Sequence, residues 1–163
     1  IMNKNWSNTA LVAYSLLPKI AKELNSGVES RVRSSFQSRH LKIGVSTEQL
    51  IGEILDLTEE KRKIVNLRFI VKKALDKMVD ADREILVERI VQKKTFQEIA
   101  DSHKIALRTA FRRIANAEED FANNLRRCGY TEDWLEKEYG NDKYIAPIHE
   151  RIKQDKYFVA KNL

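Results

Sequence analysis

The stretch of sequence that decides the fold is residues 95–117, which read TFQEIADSHKIALRTAFRRIANA. Thr95 and Glu98 have the spacing of a capping box, which begins a helix, and this helix is predicted to end near His103. A second helix is predicted to start near Ala106. Apolar residues recur on one face of that second helix at spacings of four, three and four: Ala110, Ile114, Ala117 and Phe121. The pattern therefore predicts two helices joined by a short turn.

The opposite face of the second helix is basic and is predicted to be exposed. It displays Arg108, Phe111 and Arg112, with Lys104 and Arg113 beside it. In a DNA-binding helix-turn-helix, the second helix enters the major groove and its early residues contact the edges of the bases. Arginine suits this contact because its planar guanidinium binds guanine through two hydrogen bonds. The pattern therefore favours a DNA-binding helix.

Residues 80–121 carry a more specific pattern, which resembles the fourth region of bacterial sigma factors and the sigma-like regulators of phages and prophages of Gram-positive bacteria. The resemblance is carried by Asp82-Arg83-Glu84-Ile85-Leu86, Arg89, Val91, Thr95, Glu98-Ile99-Ala100, Ile105, Thr109, Arg113-Ile114 and Ala117. It implies that the chain regulates transcription and that the helix at about 106–121 reads promoter or operator DNA in the major groove. No segment for melting a promoter is evident, so an autonomous sigma factor is not expected.

Three positions depart from that family pattern. Lys104 stands where the turn usually has glycine, and a non-glycine residue with positive φ costs on the order of 1 kcal/mol. Ala106 replaces the usual Ser or Thr cap of the second helix, which costs about 1 kcal/mol. Phe111 stands where many sigma factors have a basic residue. These departures leave the fold possible but affect the geometry of the turn and the chemistry of the reading face.

The predicted DNA-binding residues form two groups. Those predicted to face the bases are Arg108, Thr109 and Arg112, with Leu107 and Phe111 placed to contact thymine methyl groups. Those predicted to position the DNA backbone are Lys93, Lys94, Thr95, Lys104 and Arg113. The expected partner is double-stranded DNA.

The whole chain is predicted to be all-α, with about seven helices in four segments. These are an N-terminal helical region (1–45), a long central helix (46–79), the helix-turn-helix module (80–128) and a C-terminal helical tail (129–163). Pro18 is expected either to kink the first helix or to start a new one, and a capping box at Ser26 is expected to begin a helix that runs toward Phe36. Residues 38–45 are expected to form a loop, and the last helix is expected to run from Ile148 to about Val159.

The central helix is predicted from positions 50, 54, 57, 61, 64, 68, 71, 75 and 78, which alternate in steps of four and three and are apolar at seven places. Lys61 and Arg68 interrupt this seam. One interpretation is a long core helix packed against residues 10–36. The other is an arm that forms a homodimer through residues 47–79, as in a coiled coil. A break into two helices near Thr58 is a further alternative.

Composition limits the classes of protein that fit. Of the 163 residues, 42% are hydrophobic and 33% charged, with 2 prolines, 5 glycines and 1 cysteine. So few turn-forming residues exclude a β-sandwich or barrel with many short strands, and one cysteine excludes an internal disulfide framework. No apolar run has the length of a membrane span and no secretory signal is visible, so we expect a cytoplasmic protein without a membrane partner.

The formal net charge of +6 is unevenly distributed. Residues 1–46 carry 7 basic and 2 acidic groups, and residues 47–80 carry 7 of each. Residues 81–117 carry 8 basic and 5 acidic groups, and residues 118–163 carry 8 and 10. The two basic segments indicate a polyanionic partner.

The sequence contains no pattern that indicates catalysis. There is no glycine-rich phosphate loop and no G-x-S-x-G motif. The histidines at 40, 103 and 149 lie far apart, and none has the spacing of a zinc ligand. We therefore expect no enzyme, no catalytic residue, no cofactor and no bound metal.

A protein-interaction module is the rival interpretation. The helix-turn-helix would then be a scaffold, and Leu107 and Phe111 would contact RNA polymerase, a second copy of the chain or the acidic tail. A buried Phe111 and evenly scattered charge on the reading face would favour it. RNA binding is a third alternative, which would require that the first 46 residues form the main basic surface.

Overall fold

The computed structural model describes residues 4–41 and 47–154, with side chains except at 31, 32, 34–41 and 47. This part of the chain forms helices and no strands, which confirms the all-α prediction. The helices are α1 (Asn5–Leu41), α2 (Thr47–Asp76), α3 (Asp80–Ile90), α4 (Phe96–His103), α5 (Leu107–Arg127), α6 (Glu132–Tyr139) and α7 (Ile145–Gln154). Among these described helices, none has both the length and the apolar character needed to cross a membrane.

Helix α1 is continuous through Pro18, so no new helix starts there, and the other predicted outcome, a kink, stays a prediction. The proline ring is exposed, and the carbonyl group that loses its helical partner at such a site can be hydrated. The predicted helix start at Ser26 is also wrong, because Ser26 lies inside α1. The predicted loop at 38–45 is wrong up to Leu41, where α1 ends. Residues 42–46 lie outside the described residues.

Helix α2 is a single helix, as the central-helix prediction expects, and the alternative of a break near Thr58 is wrong. The Thr58 hydroxyl donates to the Ile54 carbonyl at 2.8 Å, which satisfies it within the helix. Most apolar positions of the predicted seam are buried, whereas Lys61 and Arg68 are exposed. At Gly27 of α1, an added Cβ would lie 3.8 Å from Leu57 Cδ2. The chain's own packing therefore uses part of this seam, as the core-helix interpretation expects.

The described chain packs as two compact units. One is Leu16–Leu67, and the other combines the residues up to Ser15 with those from Arg68 onward. Both boundaries fall inside helices α1 and α2. The four predicted segments begin and end at turns and helix caps. They therefore do not coincide with these units, whose boundaries lie within helices.

The second unit contains the helices that position the basic face. Helices α3, α4 and α5 contact one another. Ile99 and Ala100 of α4 are buried, as predicted. The predicted apolar face of α5 is buried in full: Ala110, Ile114, Ala117 and Phe121. Burying a large apolar side chain contributes about 1.5–3 kcal/mol, so this face fixes how α5 is held.

The start of α1 packs with α6 and α7 in the same unit. The Trp6 ring stacks on His149 with centroids 3.8 Å apart, and its indole N–H donates to Glu136 Oε2 at 2.8 Å. The Thr9 hydroxyl lies 2.9 Å from His149 Nδ1. Burial lowers the pKa of His149, with a further lowering from Lys153, so its neutral form is favoured. These contacts join residues near the two ends of the described chain.

The predicted caps at the end of α5 and the start of α6 are confirmed. Gly129 has φ +90°, and the Tyr130 N–H donates to the Leu125 carbonyl at 3.0 Å, as in a Schellman motif. The Thr131 side chain accepts from the Trp134 N–H. Helix α7 starts at Ile145 rather than at the predicted Ile148. Its start is earlier because the Asp142 carboxylate accepts from the N–H groups of residues 144 and 145.

Candidate nucleic-acid interface

The turn between α4 and α5 determines how the basic face is presented. The predicted capping box at the start of α4 is present: Thr95 Oγ1 accepts from the Glu98 N–H at 3.1 Å, and Glu98 Oε2 accepts from the Thr95 N–H at 2.7 Å. Helix α4 ends at His103, and the next residue, Lys104, has φ 54°. Lys104 thus has the positive φ at which a non-glycine residue costs on the order of 1 kcal/mol. The Ile105 N–H donates to the Ala100 carbonyl at 3.0 Å, which closes the turn.

The start of α5 is chemically unlike the starts of α4 and α6. Ala106 has the extended backbone of an N-cap, with φ −67° and ψ 148°, but no side chain caps the helix. The first turn of α5 also contains no acidic residue. In contrast, Thr95 and Thr131 cap their helices, and acidic residues follow them. The positive end of the α5 dipole is therefore not neutralised by a carboxylate of its own first turn.

The predicted reading residues lie along the first turns of α5. Arg108 and Arg112 are exposed, Leu107 is 40% exposed and Phe111 is 43% exposed. Thr109 and Arg113 are half-buried at the edges of this face. Within the described part of the chain, Arg108, Arg112 and Arg113 form no hydrogen bond or ion pair. Their guanidinium groups are therefore available to an external anion or to base edges. We call the residues Lys104, Leu107, Arg108, Phe111 and Arg112 the α5 face.

Phe111 is held by a stack of rings that sequence reasoning did not predict. Its ring centroid lies 4.1 Å from that of Phe96, the first residue of α4. The guanidinium carbon of Arg89 lies 4.1 Å from the Phe96 centroid, and Arg89 Nη1 donates to the Lys94 carbonyl at 2.9 Å. Phe111 is thus neither a core residue nor a free side chain, because one of its sides is supported and the other faces solvent. No short-range spacing signals this contact, since Phe96 and Phe111 lie on different helices.

A polar cluster formed by Glu88, Lys94 and His103 fixes the α3–α4 turn. The buried Glu88 carboxylate accepts from Lys94 Nζ at 3.0 Å and lies 2.7 Å from His103 Nε2. Burial acts to raise the pKa of Glu88, but the hydrogen bonds from His103 and Lys94 outweigh it and the pKa lies below its usual value. Sequence reasoning missed Glu88 and His103, because only the fold brings these residues together.

This cluster changes the assignment of two predicted phosphate contacts. The Lys94 ammonium already pairs with Glu88, so its charge is partly neutralised. The Thr95 hydroxyl caps α4, and the neighbouring Glu98 carboxylate disfavours a phosphate at that helix start. Lys94 and Thr95 therefore have roles inside the fold. Lys93 is exposed in the same turn, with φ 57°, and Lys104 is exposed in the next turn.

The basic part of α5 ends before Glu118. Three acidic residues follow one another at 118–120, and Glu119 Oε2 lies 3.3 Å from Lys4 Nζ. Burial raises the pKa of Glu118 to about 7, although Lys4 and Arg89 act to lower it. The α5 face is therefore confined to the first half of the helix, and the second half packs with the rest of the unit.

Comparison of the chain with known protein families, with characterised proteins and with solved structures finds no match. The resemblance to the fourth region of sigma factors therefore stays a prediction.

Proposed function

We propose that the chain is a DNA-binding transcription regulator in which α4 and α5 act as a helix-turn-helix and α5 enters the major groove. Arg108, Thr109 and Arg112 read base edges in this proposal, and Leu107 and Phe111 contact thymine methyl groups. Lys93, Lys104 and Arg113 contact phosphates. Lys94 and Thr95 are assigned to holding the fold.

The observation that carries the proposal is that Arg108 and Arg112 are exposed and unpaired among the described residues. Both are exposed on consecutive turns at the start of α5, and neither has an ion pair among the described residues. An ordinary solvated helix face usually mixes acidic and basic groups, but the first half of α5 has three arginines and no acidic residue. The uncapped helix start adds N–H groups and a positive dipole end, which favour a nearby phosphate.

The experiment is a fluorescence-anisotropy titration of the full chain against a pool of random-sequence duplexes at two salt concentrations. The bound fraction is then sequenced. We expect affinity that falls steeply with salt, because phosphate contacts release counterions, together with an enriched motif. Salt-sensitive binding without enrichment would leave only a basic surface and contradict the base-reading role.

Matched arginine variants on one helix test the assignment of the reader. Arg112→Ala should cost about 1–3 kcal/mol at one base pair of the enriched motif and relax the preference there. Arg127→Ala is the control, because Arg127 is exposed in the last turn of the same helix, beyond the acidic residues. An unchanged binding profile for Arg112→Ala would overturn its role as a reader.

A protein-interaction module is the second candidate function, although Phe111 is not buried and the α5 face carries only basic charge, so neither observation expected to favour it is present. Leu107 and Phe111 are both partly exposed and lie one turn apart, as in a surface that binds another protein. In this alternative the helix-turn-helix is a scaffold and RNA polymerase is the first partner to test. Two results together would favour this alternative. One is the absence of DNA binding at low salt, and the other is a pull-down in which the chain binds RNA polymerase and the Phe111→Ala variant does not.

A further inference from the structure

Helix α2 carries an exposed apolar stripe on a face other than the predicted seam. Positions 51, 55, 58, 62, 65 and 69 follow one another in steps of four and three, and all six are exposed. Four of them are large and apolar: Ile51 (52% exposed), Leu55 (62%), Val65 (59%) and Phe69 (59%). Thr58 and Arg62 lie between them. A stripe with this spacing is what a helix presents to a second helix in a coiled coil.

The charges of α2 are divided between its two halves. Residues 47–60 contain five acidic side chains and no basic one, and residues 61–76 contain six basic side chains and one acidic one. Within the helix, Arg62 pairs with Glu59 where the two halves meet. A helix divided in this way attracts a second copy that runs in the opposite direction and repels one that runs in the same direction.

The positions of the stripe are spaced symmetrically about residue 60, where the acidic half of α2 meets the basic half. Two antiparallel copies therefore place Ile51 opposite Phe69 and Leu55 opposite Val65 of the other copy. Thr58 then lies opposite Arg62, in the central layer. Each large apolar residue therefore meets another, and each acidic half meets a basic half. A parallel pairing would instead place five carboxylates beside five carboxylates.

We propose that two copies of the chain associate through this face of α2, antiparallel and with a two-fold axis near Glu60. The partner is thus a second copy of the chain, and the interface is isologous. The stripe covers about 27 Å of helix, at 1.5 Å per residue, so the interface is small. Small interfaces of this kind give weak and concentration-dependent dimers. The proposal does not depend on DNA binding.

The first test is sedimentation equilibrium of the full chain over a range of concentrations. The average mass should rise above 19.0 kDa as the concentration increases. Leu55→Glu with Val65→Glu should weaken the dimer by at least about tenfold, because it places carboxylates in the apolar layers. Leu107→Glu is the control, since it changes an exposed apolar residue of α5 and should leave the dimer unchanged. Circular dichroism checks that each variant is folded.

The orientation is tested by disulfide cross-linking in a Cys128→Ser background. Chains with Ile51→Cys and chains with Phe69→Cys are oxidised separately and as a mixture. An antiparallel pair gives cross-linked dimers only in the mixture, because residues 51 of the two copies lie about 27 Å apart and a disulfide needs Cα atoms within about 7 Å. A parallel pair gives cross-links in each separate sample.

Two results would overturn the proposal. One is a monomer at all concentrations, and the other is a dimer that the Leu55 and Val65 substitutions leave intact. Cross-links in the separate samples would refute the antiparallel arrangement. None of these readouts involves DNA, so failure of the dimer is distinguishable from failure of the proposed function.

Discussion

Replacing Ala106 by serine should stabilise the protein. The backbone at Ala106 (φ −67°, ψ 148°) nearly matches that at Thr95 (φ −68°, ψ 160°) and Thr131 (φ −74°, ψ 166°), both of which cap a helix. A serine hydroxyl at this position can therefore accept from the Thr109 N–H without moving the backbone. A good N-cap contributes about 1 kcal/mol over alanine. For a chain of this size, that corresponds to a rise in Tm of roughly 2–4 °C.

The assay is equilibrium unfolding in urea, followed by far-ultraviolet circular dichroism, together with thermal unfolding. The matched control is Ala115→Ser, an exposed site in the interior of the same helix. Serine in a helix interior is less favourable than alanine by roughly 0.5 kcal/mol, so this control should lose stability. A loss of similar size for Ala106→Ser would refute the reasoning, because residue 106 would then behave as helix interior rather than as a cap.

The Ala106→Asp variant separates the effect of the cap on stability from its effect on DNA binding. Ala106→Asp supplies a comparable cap and should also stabilise the fold, but it places a carboxylate where the proposed function has a DNA phosphate. We expect weaker DNA binding for Ala106→Asp and unchanged binding for Ala106→Ser. Equal affinities for the two variants would show that the start of α5 does not approach the DNA backbone.

Further predictions concern the core and the buried carboxylates. Phe121→Ala should cost about 3–5 kcal/mol in unfolding free energy, whereas Phe111→Ala should cost about 1 kcal/mol, because it removes only the ring contact with Phe96; equal losses in urea unfolding would place Phe111 in the core. The pKa of Glu88 lies below 4.5, so its contribution is present above pH 4.5 and is lost as the pH falls through the folded-state pKa. Unfolding free energies measured down the acid range should therefore fall less steeply for Glu88→Gln than for the parent. The pKa of Glu118 is raised to about 7 from 4.5, so stability should fall as the pH rises between these values. Glu118→Gln should be more stable than the parent by up to about 3 kcal/mol at pH 8 and not at pH 4, and equal gains at both would contradict the raised pKa.

The α4–α5 pair could be predicted because its signals are local. The capping box at Thr95 and the periodic apolar face ending at Phe121 each lie within a few turns of one helix, and both are confirmed. The all-α class follows from the same kind of pattern repeated along the chain. The exposure of Arg108 and Arg112 was predictable as the reverse of that buried face.

The features that failed or were missed depend on packing at a distance. Whether a helix continues through Pro18 depends on whether packing along the rest of the helix offsets the lost hydrogen bond and the ring clash, which local spacing does not encode. The contact between Glu88 and His103 forms only when the α3–α4 turn brings the end of α4 back to α3. On α2, the pattern predicted one buried seam, but Leu67 and Ile70 are buried beside it. A period of three and four residues identifies one face of a helix and does not exclude packing on a second face.

The contacts of Trp6 and Thr9 with α6 and α7 have a consequence for biosynthesis. These pairs are separated by 130 and 140 residues, so they close long loops. During translation the start of α1 leaves the ribosome well before its partners on α6 and α7 are synthesised. Because loop closure of this kind costs entropy and slows folding, the unit that contains α5 is completed only after synthesis of α7. The segment 16–67 is a compact unit by itself, and its sequence is complete before α3 is synthesised, so it can form earlier.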